Sequence, residues 1–277
     1  MTQLPPDFKL DNEDWLALER EYCKRSPSNF IKRAWHVLEP GKSYVHGWHI
    51  DAMSEHFKAI NQGQINRLLI NVPPGCMKSL TAGVFFPAWE WGPMGQPHTR
   101  YVAASHEQGL AIRDNLKMRR LIRSEWYQSL WPISMVADQN AKIKFENTKT
   151  GFRQACSVKS MTGNRGHRVL WDDPLPVEGA HSPADRRTAI REFRETMPSR
   201  LDDPELSSII IIMQRLHEND PSGFILSNEL GYEHLCLPME FEPKRRCMTS
   251  IGFKDPRTEE NELLFPARFP RHVVERD

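Results

Sequence analysis

No apolar run in the 277-residue sequence approaches the roughly 20 residues that a membrane-spanning helix needs. Cysteine is scarce and unpatterned. The five residues Cys23, Cys76, Cys156, Cys236 and Cys247 form no C-x-x-C pair, which argues for reduced thiols in an intracellular protein and against a disulfide or zinc framework. The opening M-T-Q-L-P-P-D-F-K-L lacks the pattern of a secretory signal. An excess of one charge is also missing: 37 Lys and Arg face 36 Asp and Glu, for a net +1. Any nucleic-acid-binding face must therefore come from placement of basic residues rather than from their number. No repeat or low-complexity tract is found. With 39% apolar and 26% charged residues, the composition is that of a globular protein of one large or two small domains.

The strict glycine pattern of a phosphate-binding loop is missing too. In G-x-x-x-x-G-K-[ST] the two glycines fall on Val72 and Met77. The architecture around that gap is nevertheless the expected one. From Arg67 to Glu90, Leu68 to Val72 read as a buried strand, two prolines and Gly75 force a loop, and Lys78-Ser79 open a segment of helical spacing. Backbone N–H groups of such a loop point at an anion, Lys78 reaches its outer phosphates and the Ser79 hydroxyl ligates magnesium. Gly75 is expected to be the one permissive backbone position. The competing reading is an ordinary helix start with serine near a cap.

A second signal lies at Arg168 to Pro174, R-V-L-W-D-D-P. An apolar run ending in two carboxylates is what a magnesium-nucleotide site needs on the strand beside the loop, with Asp172 on the metal and Asp173 polarising water. A strand ending in an Asp-Pro turn is the plain alternative. Adjacent carboxylates on one strand point to opposite faces, which argues against a chelated nuclease metal pair.

Helical spacing covers residues 11 to 39, with Trp15, Leu18 and Tyr22 on one side, then Phe30, Ile31, Ala34 and Val37. Trp48 and His49 precede another amphipathic run; they either contact a purine base or are a core Trp and a surface His. After a strand at Tyr101 to Ala104, a helix carries Arg113, Lys117 and Arg120 as a basic stripe, either solvated or following a phosphate backbone. A hairpin is expected around Thr148 to Gly151. The loop with Thr162, Gly163, Arg165, Gly166 and Arg168 is either a basic turn or a mobile arm presenting a guanidinium to a phosphate. Ser182-Pro183 cap a further helix. A strongly apolar strand from Ser207 ends in Gln214, Arg215 and His217, where a parallel sheet places ligand-facing residues. Gln214 or Arg215 is a candidate sensor of the terminal phosphate. His234 to Leu237 is the last expected strand, and Met239 onward reads as linker or lid.

The ordered set Y-V-H-G-W-H-I, I-N-V-P-P-G-C-M-K-S, S-M-T-G-N-R-G-H-R-V-L-W-D-D-P and I-I-I-I-M-Q-R-L-H-E-N-D-P-S-G resembles the large terminase subunit of tailed bacteriophages and prophages, over Tyr44 to Phe269. The ending E-N-E-L-L-F-P-A-R-F-P is similar to the segment joining that family's ATPase to its nuclease. The resemblance implies an α/β P-loop NTPase of ASCE type, a central mostly parallel sheet flanked by helices. It implies a helical preface over 1–43, an ATPase core over 44–238 and a linker or lid over 239–277. Lys78 and Ser79 match the Walker A lysine and metal-ligating hydroxyl, within a nucleotide-binding stretch of Pro74, Gly75, Cys76, Met77, Lys78, Ser79 and Leu80. Asp172 and Asp173 match the Walker B pair, Gln214 and Arg215 the coupling motif, Trp48 and His49 the adenine contacts, and Arg165 a trans-acting arginine finger. ATP and Mg²⁺ are the implied cofactors. Double-stranded DNA, a portal protein, a small terminase subunit and further copies in a ring usually taken to be a pentamer are the implied partners, in host cytoplasm and transiently at the procapsid portal, with no membrane.

Two residues depart from the family pattern: Met77 replaces the usual glycine, and Asp173 stands where many members carry Glu. The third departure is length. About 40 residues follow the last expected strand, too few for an RNase H-like nuclease, so ATP hydrolysis without DNA cleavage is the expectation. Rival readings are a helicase-like or recombinase-like ATPase and a non-catalytic packaging scaffold.

Overall fold

The apolar runs of the sequence become strands buried on both faces. The structure, a computed structural model, describes residues 11–140, 142–161 and 163–276, without the side chains of residues 138–140 and 159. Residues 1–10 of the expected helical preface and Thr162 of the basic loop lie outside the described residues.

The chain opens with α1 (Asn12–Arg25), α2 (Pro27–Leu38) and α3 (Trp48–Asn61), then enters β1 (Arg67–Asn71). Asp11 and Asp14 close a capping box on α1, and the Ser26 side chain caps α2, satisfying amide groups that a helix start leaves unpaired. A helical run follows β1 as α4 (Lys78–Leu80), a π-helical turn (Thr81–Phe85) and α5 (Phe86–Trp91). Pro87 near the start of α5 explains the wide turn, because it lacks the N–H that an α-helix would use there.

Next come β2 (Tyr101–Ser105), α6 (Gln108–Ile122) and α7 (Glu125–Leu130), then β3 (Met135–Asn140), β4 (Lys144–Asn147) and β5 (Phe152–Ser157). β4 and β5 form the expected antiparallel hairpin. The chain continues through β6 (Arg168–Asp172), α8 (Val177–Ala180), α9 (Pro183–Glu195), β7 (Ser208–Met213), α10 (Pro221–Ser227), β8 (Glu233–Cys236) and α11 (Arg271–Val274). Ser182 caps α9 with Pro183 behind it, as its sequence requires.

The eight strands are ordered β3-β4-β5-β2-β6-β7-β1-β8, and β5 through β8 in that order are parallel neighbours. Alternate residues of each central strand feed opposite cores. Leu68, Ile70, Tyr101, Ala103, Leu170, Ile210 and Ile212 pack toward α1–α3 and α5–α7. Leu69, Val102, Val169, Trp171, Ile209 and Ile211 pack toward α8–α10. This is the period-two division of a sheet covered on both sides.

Two expectations are corrected. The acidic strand β6 is not beside β1; β7 lies between them. Periodicity fixes which face a side chain occupies but not which strand pairs with which, and β7, with all six residues buried, takes the position between them. The 239–277 stretch is no bare linker: Phe241, Leu264 and Phe265 are buried, and Asp255 and Arg257, both buried, pair at 2.8 Å. Its proline and charge content hides a few apolar anchors, each contributing roughly 1.5–3 kcal/mol of burial.

Candidate nucleotide-binding site

β1 delivers the chain to the carboxyl edge of the sheet, where residues 72–77 form the loop before α4. Gly75 has φ +77° and Met77 φ +62°, so two positions, not one, need the left-handed region. At Gly75 the demand is double, since a Cβ there would lie 2.6 Å from the Phe269 ring. Met77 stands where the common pattern has glycine and adopts the backbone that glycine favours. The reversal aims Lys78 inward, and its side chain is only 8% exposed.

The acidic pair arrives from β6. Continuing that strand's alternation, Asp172 falls on the face of Leu170, the face that carries the P-loop helix. Asp173 has φ +43° and is no longer in the strand. The opposite-faces expectation therefore fails: the backbone turns after Asp172 and brings the second carboxylate to the same site. Lys78 Nζ lies 3.2 Å from Asp173 Oδ2. Burial, and next the neighbouring Asp173, push the Asp172 carboxyl up to about 7, with the Ser79 hydroxyl and the Lys78 charge opposing. Oδ1 of each aspartate is buried without a hydrogen-bond partner.

Two orphaned carboxylate oxygens beside a serine hydroxyl suit a hard divalent cation that prefers oxygen ligands. Among the described residues no group of three or more His, Cys, Asp or Glu side chains is arranged to hold a metal. Ser79 and Asp172 are the residues that would hold a Mg²⁺ here, a cation that readily completes its shell with oxygen ligands from outside the protein.

A cavity of about 480 Å³ lined by Arg165 lies elsewhere; the one at the loop measures about 430 Å³ and is lined by Gly75, Met77, Lys78, Ser79, Leu80, Arg113, Lys117 and Arg268, with Trp35, Glu39, Lys42 and Asp114. Arg113 and Lys117 of the basic stripe thus line the same cavity as Gly75 to Ser79, while Arg120 is not among its walls. The sequence held a partial signal for this: α6 directly follows an apolar strand, and a helix that follows a parallel strand starts at that strand's carboxyl edge. Arg268 and Phe269 carried no comparable signal.

The remaining candidates are spread out. His49 is fully buried, not a surface His; its ring packs 4.7 Å from Phe265 and sits near the Cys76 backbone without a well-formed hydrogen bond. Burial lowers its pKa to about 4, so the imidazole supports the loop from below as a neutral ring. Trp48 is half-buried and faces the Arg257 guanidinium at 5.4 Å. Gln214 and Arg215 line a second cavity of about 310 Å³ with Pro73 and Pro74. Arg215 is held by Asp220 at 3.1 Å and by the His217 and Glu218 carbonyls. Arg165 lies before β6, at the opposite end of the strand from Asp172, and five residues of strand put about 15 Å between those edges.

A mostly parallel sheet with one strand between the loop strand and the acidic strand, and both meeting at the carboxyl edge, is the P-loop NTPase fold of ASCE type. Within that class the chain is similar to the large terminase of bacteriophage HK97, with a TM-score of 0.50, 14% sequence identity and 79% of this chain covered. It spans 44% of the length of that protein. The Thermus phage P74-26 large terminase ATPase domain aligns with a TM-score of 0.41 and 14% identity, over 65% of this chain and 68% of its own. No protein-family model and no curated protein sequence matches the chain. Among the described residues no helix is long and apolar enough to cross a membrane.

Proposed function

We propose that the protein is the ATPase motor part of a phage DNA-packaging terminase. The observation that carries this is the Lys78–Asp173 contact of 3.2 Å, with Ser79 and Asp172 beside it: a cation for phosphates, a metal pole and a base within one pocket. Lys78 would leave Asp173 for the outer phosphates of ATP, and Ser79 and Asp172 would hold Mg²⁺. The metal supplies charge neutralisation across the phosphate oxygens. Asp173, released from Lys78, orients water toward the terminal phosphorus. The water oxygen–phosphorus bond forms, the bond to the bridging oxygen of ADP breaks, and the water's proton passes through Asp173 to solvent, giving ADP and inorganic phosphate. Arg165, at the opposite edge of the sheet from its own site, would serve a neighbour's nucleotide in a ring. Double-stranded DNA, a portal, a small terminase subunit and a location at the procapsid in host cytoplasm belong to the same reading, which the fold likeness supports by analogy.

The test is Mg²⁺-dependent ATP hydrolysis and calorimetric ATP binding by the wild type and Lys78→Ala. Loss of both is expected, and retained turnover in the variant moves the active site elsewhere. Duplex DNA should stimulate turnover without strand separation; unwinding would favour the helicase-like rival.

A further inference from the structure

The basic stripe on α6 splits in the folded protein, and its first member sits where a phosphate site needs one more cation. Arg113 and Lys117 line the cavity of Lys78 and Ser79, whereas Arg120 does not. We propose that Arg113 contacts the terminal phosphate of a nucleotide held by its own subunit, and that Asp114 positions it. The proposal rests on the nucleotide reading above and adds a residue to that site.

Asp114 is buried, close to Gly83 and Arg153. A Cβ on Gly83 of the π-helical turn would lie 3.4 Å from Asp114 Oδ2 and 3.5 Å from Arg153 Nη2. The absence of a side chain there lets α6 settle on the P-loop helix. Arg153, buried on β5, is bonded to Asn115 and to the Ala111 carbonyl and adds a positive field at Asp114. Asp114 Oδ1 in turn accepts from Arg113 Nε at 3.0 Å.

The bond to Asp114 is made through Nε rather than through the terminal fork, and the Arg113 side chain is 51% exposed. That fork is the geometry which grips phosphate oxygens in pairs. Arg113 also feels the fields of Asp172 and Asp173, the carboxylates that flank the reacting phosphate. The other charges around the cavity are Lys42, Lys117 and Arg268, with Glu39 at 4.0 Å from Lys42. Lys117 stands a helical turn farther along α6, so Arg113 is the member nearest the acidic pair.

The test uses the full chain with Mg²⁺-ATP, Mg²⁺-ADP and ADP with aluminium fluoride as a mimic of the transferring phosphoryl group. Arg113→Ala and Arg113→Gln should lose about 10²–10³-fold in kcat and similarly in aluminium fluoride complex affinity, with ADP affinity within about threefold of wild type. A cis contact gives a defect that does not change with protein concentration. Asp114→Asn should lower kcat by about tenfold while leaving KM near wild type. Wild-type kcat and analogue binding in both Arg113 variants overturns the proposal. So does a defect confined to DNA-stimulated turnover, which would return the stripe to nucleic acid. If Lys78→Ala abolishes turnover while both Arg113 variants hydrolyse normally, only this inference fails. If Lys78→Ala is active, the nucleotide reading fails with it.

Discussion

The two edges of the central sheet both carry clustered cations, and they are built differently. At the carboxyl edge Lys78 is buried against Asp173 at 3.2 Å and Arg113 is tied to Asp114 at 3.0 Å; the two cations nearest the acidic pair each have a carboxylate partner, while Lys117 and Arg268 also line the wall. At the amino edge Arg100, Lys144, Arg165 and Arg200 surround a cavity of about 480 Å³ with Asp202 as the one carboxylate among its described walls, and Lys144 pairs with Glu146 at 3.4 Å. Arg100 reaches Asp202 at 3.5 Å, and His167 stands 3.8 Å from the same group. Charge held by a close carboxylate partner suits chemistry on a bound group, because the dipoles are in place before it arrives. Loosely paired charge at an open rim suits a contact supplied from outside, such as an arginine offered to an adjacent subunit.

The strongest way to break that division is to mix subunits. Lys78→Ala removes the charge of the edge proposed to be catalytic, and Arg165→Ala that of the edge proposed to donate. An arginine supplied in trans is worth about 10³–10⁵ in rate, so each variant alone should be nearly inactive at concentrations where the wild type assembles. A mixture should recover activity, since some interfaces then pair an intact Lys78 with an intact Arg165. No recovery at any ratio, with wild-type assembly, would remove Arg165 from the neighbour's site.

Next in size is Asp173→Asn. Losing a general base costs about 10²–10⁴ in turnover, yet the same change frees Lys78 from its ion pair. Mg²⁺-ATP should therefore bind at least as tightly as to wild type while hydrolysis falls. A variant that binds ATP more weakly would show that Asp173 holds the metal and that the two aspartates exchange roles.

Much of the carboxyl edge was legible in the sequence. Lys78-Ser79 after an apolar run and a proline-glycine turn, and the acids closing R-V-L-W-D-D, fix chemistry by residue type and local order. Non-local facts were hidden. The insertion of β7 between β1 and β6 depends on crossover paths rather than on either strand's pattern. His49 reads as a surface residue because its burial is supplied by Phe265, more than two hundred residues away in sequence. By the strand's alternation Asp173 belongs on the face opposite Asp172, yet the strand stops one residue earlier. Arg113 belonged to a stripe whose orientation is set by Gly83 and Arg153.

A smaller contrast concerns pH. His49, beneath the loop, has its pKa lowered to about 4 by burial, and His234 beside β1 shares that direction and value. A histidine kept neutral in the fold binds fewer protons there than in the unfolded chain. As pH falls from about 6.5 to about 4 the unfolded state gains protons first, so stability drops through that window, by on the order of 3 kcal/mol for His49. Asp172, raised to about 7, acts in the opposite sense: its contribution is complete below its unfolded value near 3.8 and is lost as pH rises toward 7. Comparing wild type with His49→Phe by urea unfolding at several pH values isolates the histidine, and the variant's profile should be flatter between pH 4 and 6.5. Parallel profiles would mean that the imidazole is solvated in the fold.

The smallest expected effect tests why a loop without the usual glycine works. Met77 holds φ +62° and ψ +13°, a left-handed conformation costing a side-chain-bearing residue roughly 1–2 kcal/mol, while its side chain packs on the core beneath. Met77→Gly relieves the backbone cost but gives up that packing and adds chain entropy to the unfolded state, terms of about 1 kcal/mol each. Stability should then stay within about 1 kcal/mol of wild type, with Mg²⁺-ATP affinity within about threefold. Met77→Val keeps an apolar side chain but adds a β-branch, which resists positive φ most strongly. It should cost about 2 kcal/mol and weaken nucleotide binding more than tenfold. If valine behaves like methionine, the loop does not need its left-handed turn, and Lys78 reaches Asp173 through helix packing alone.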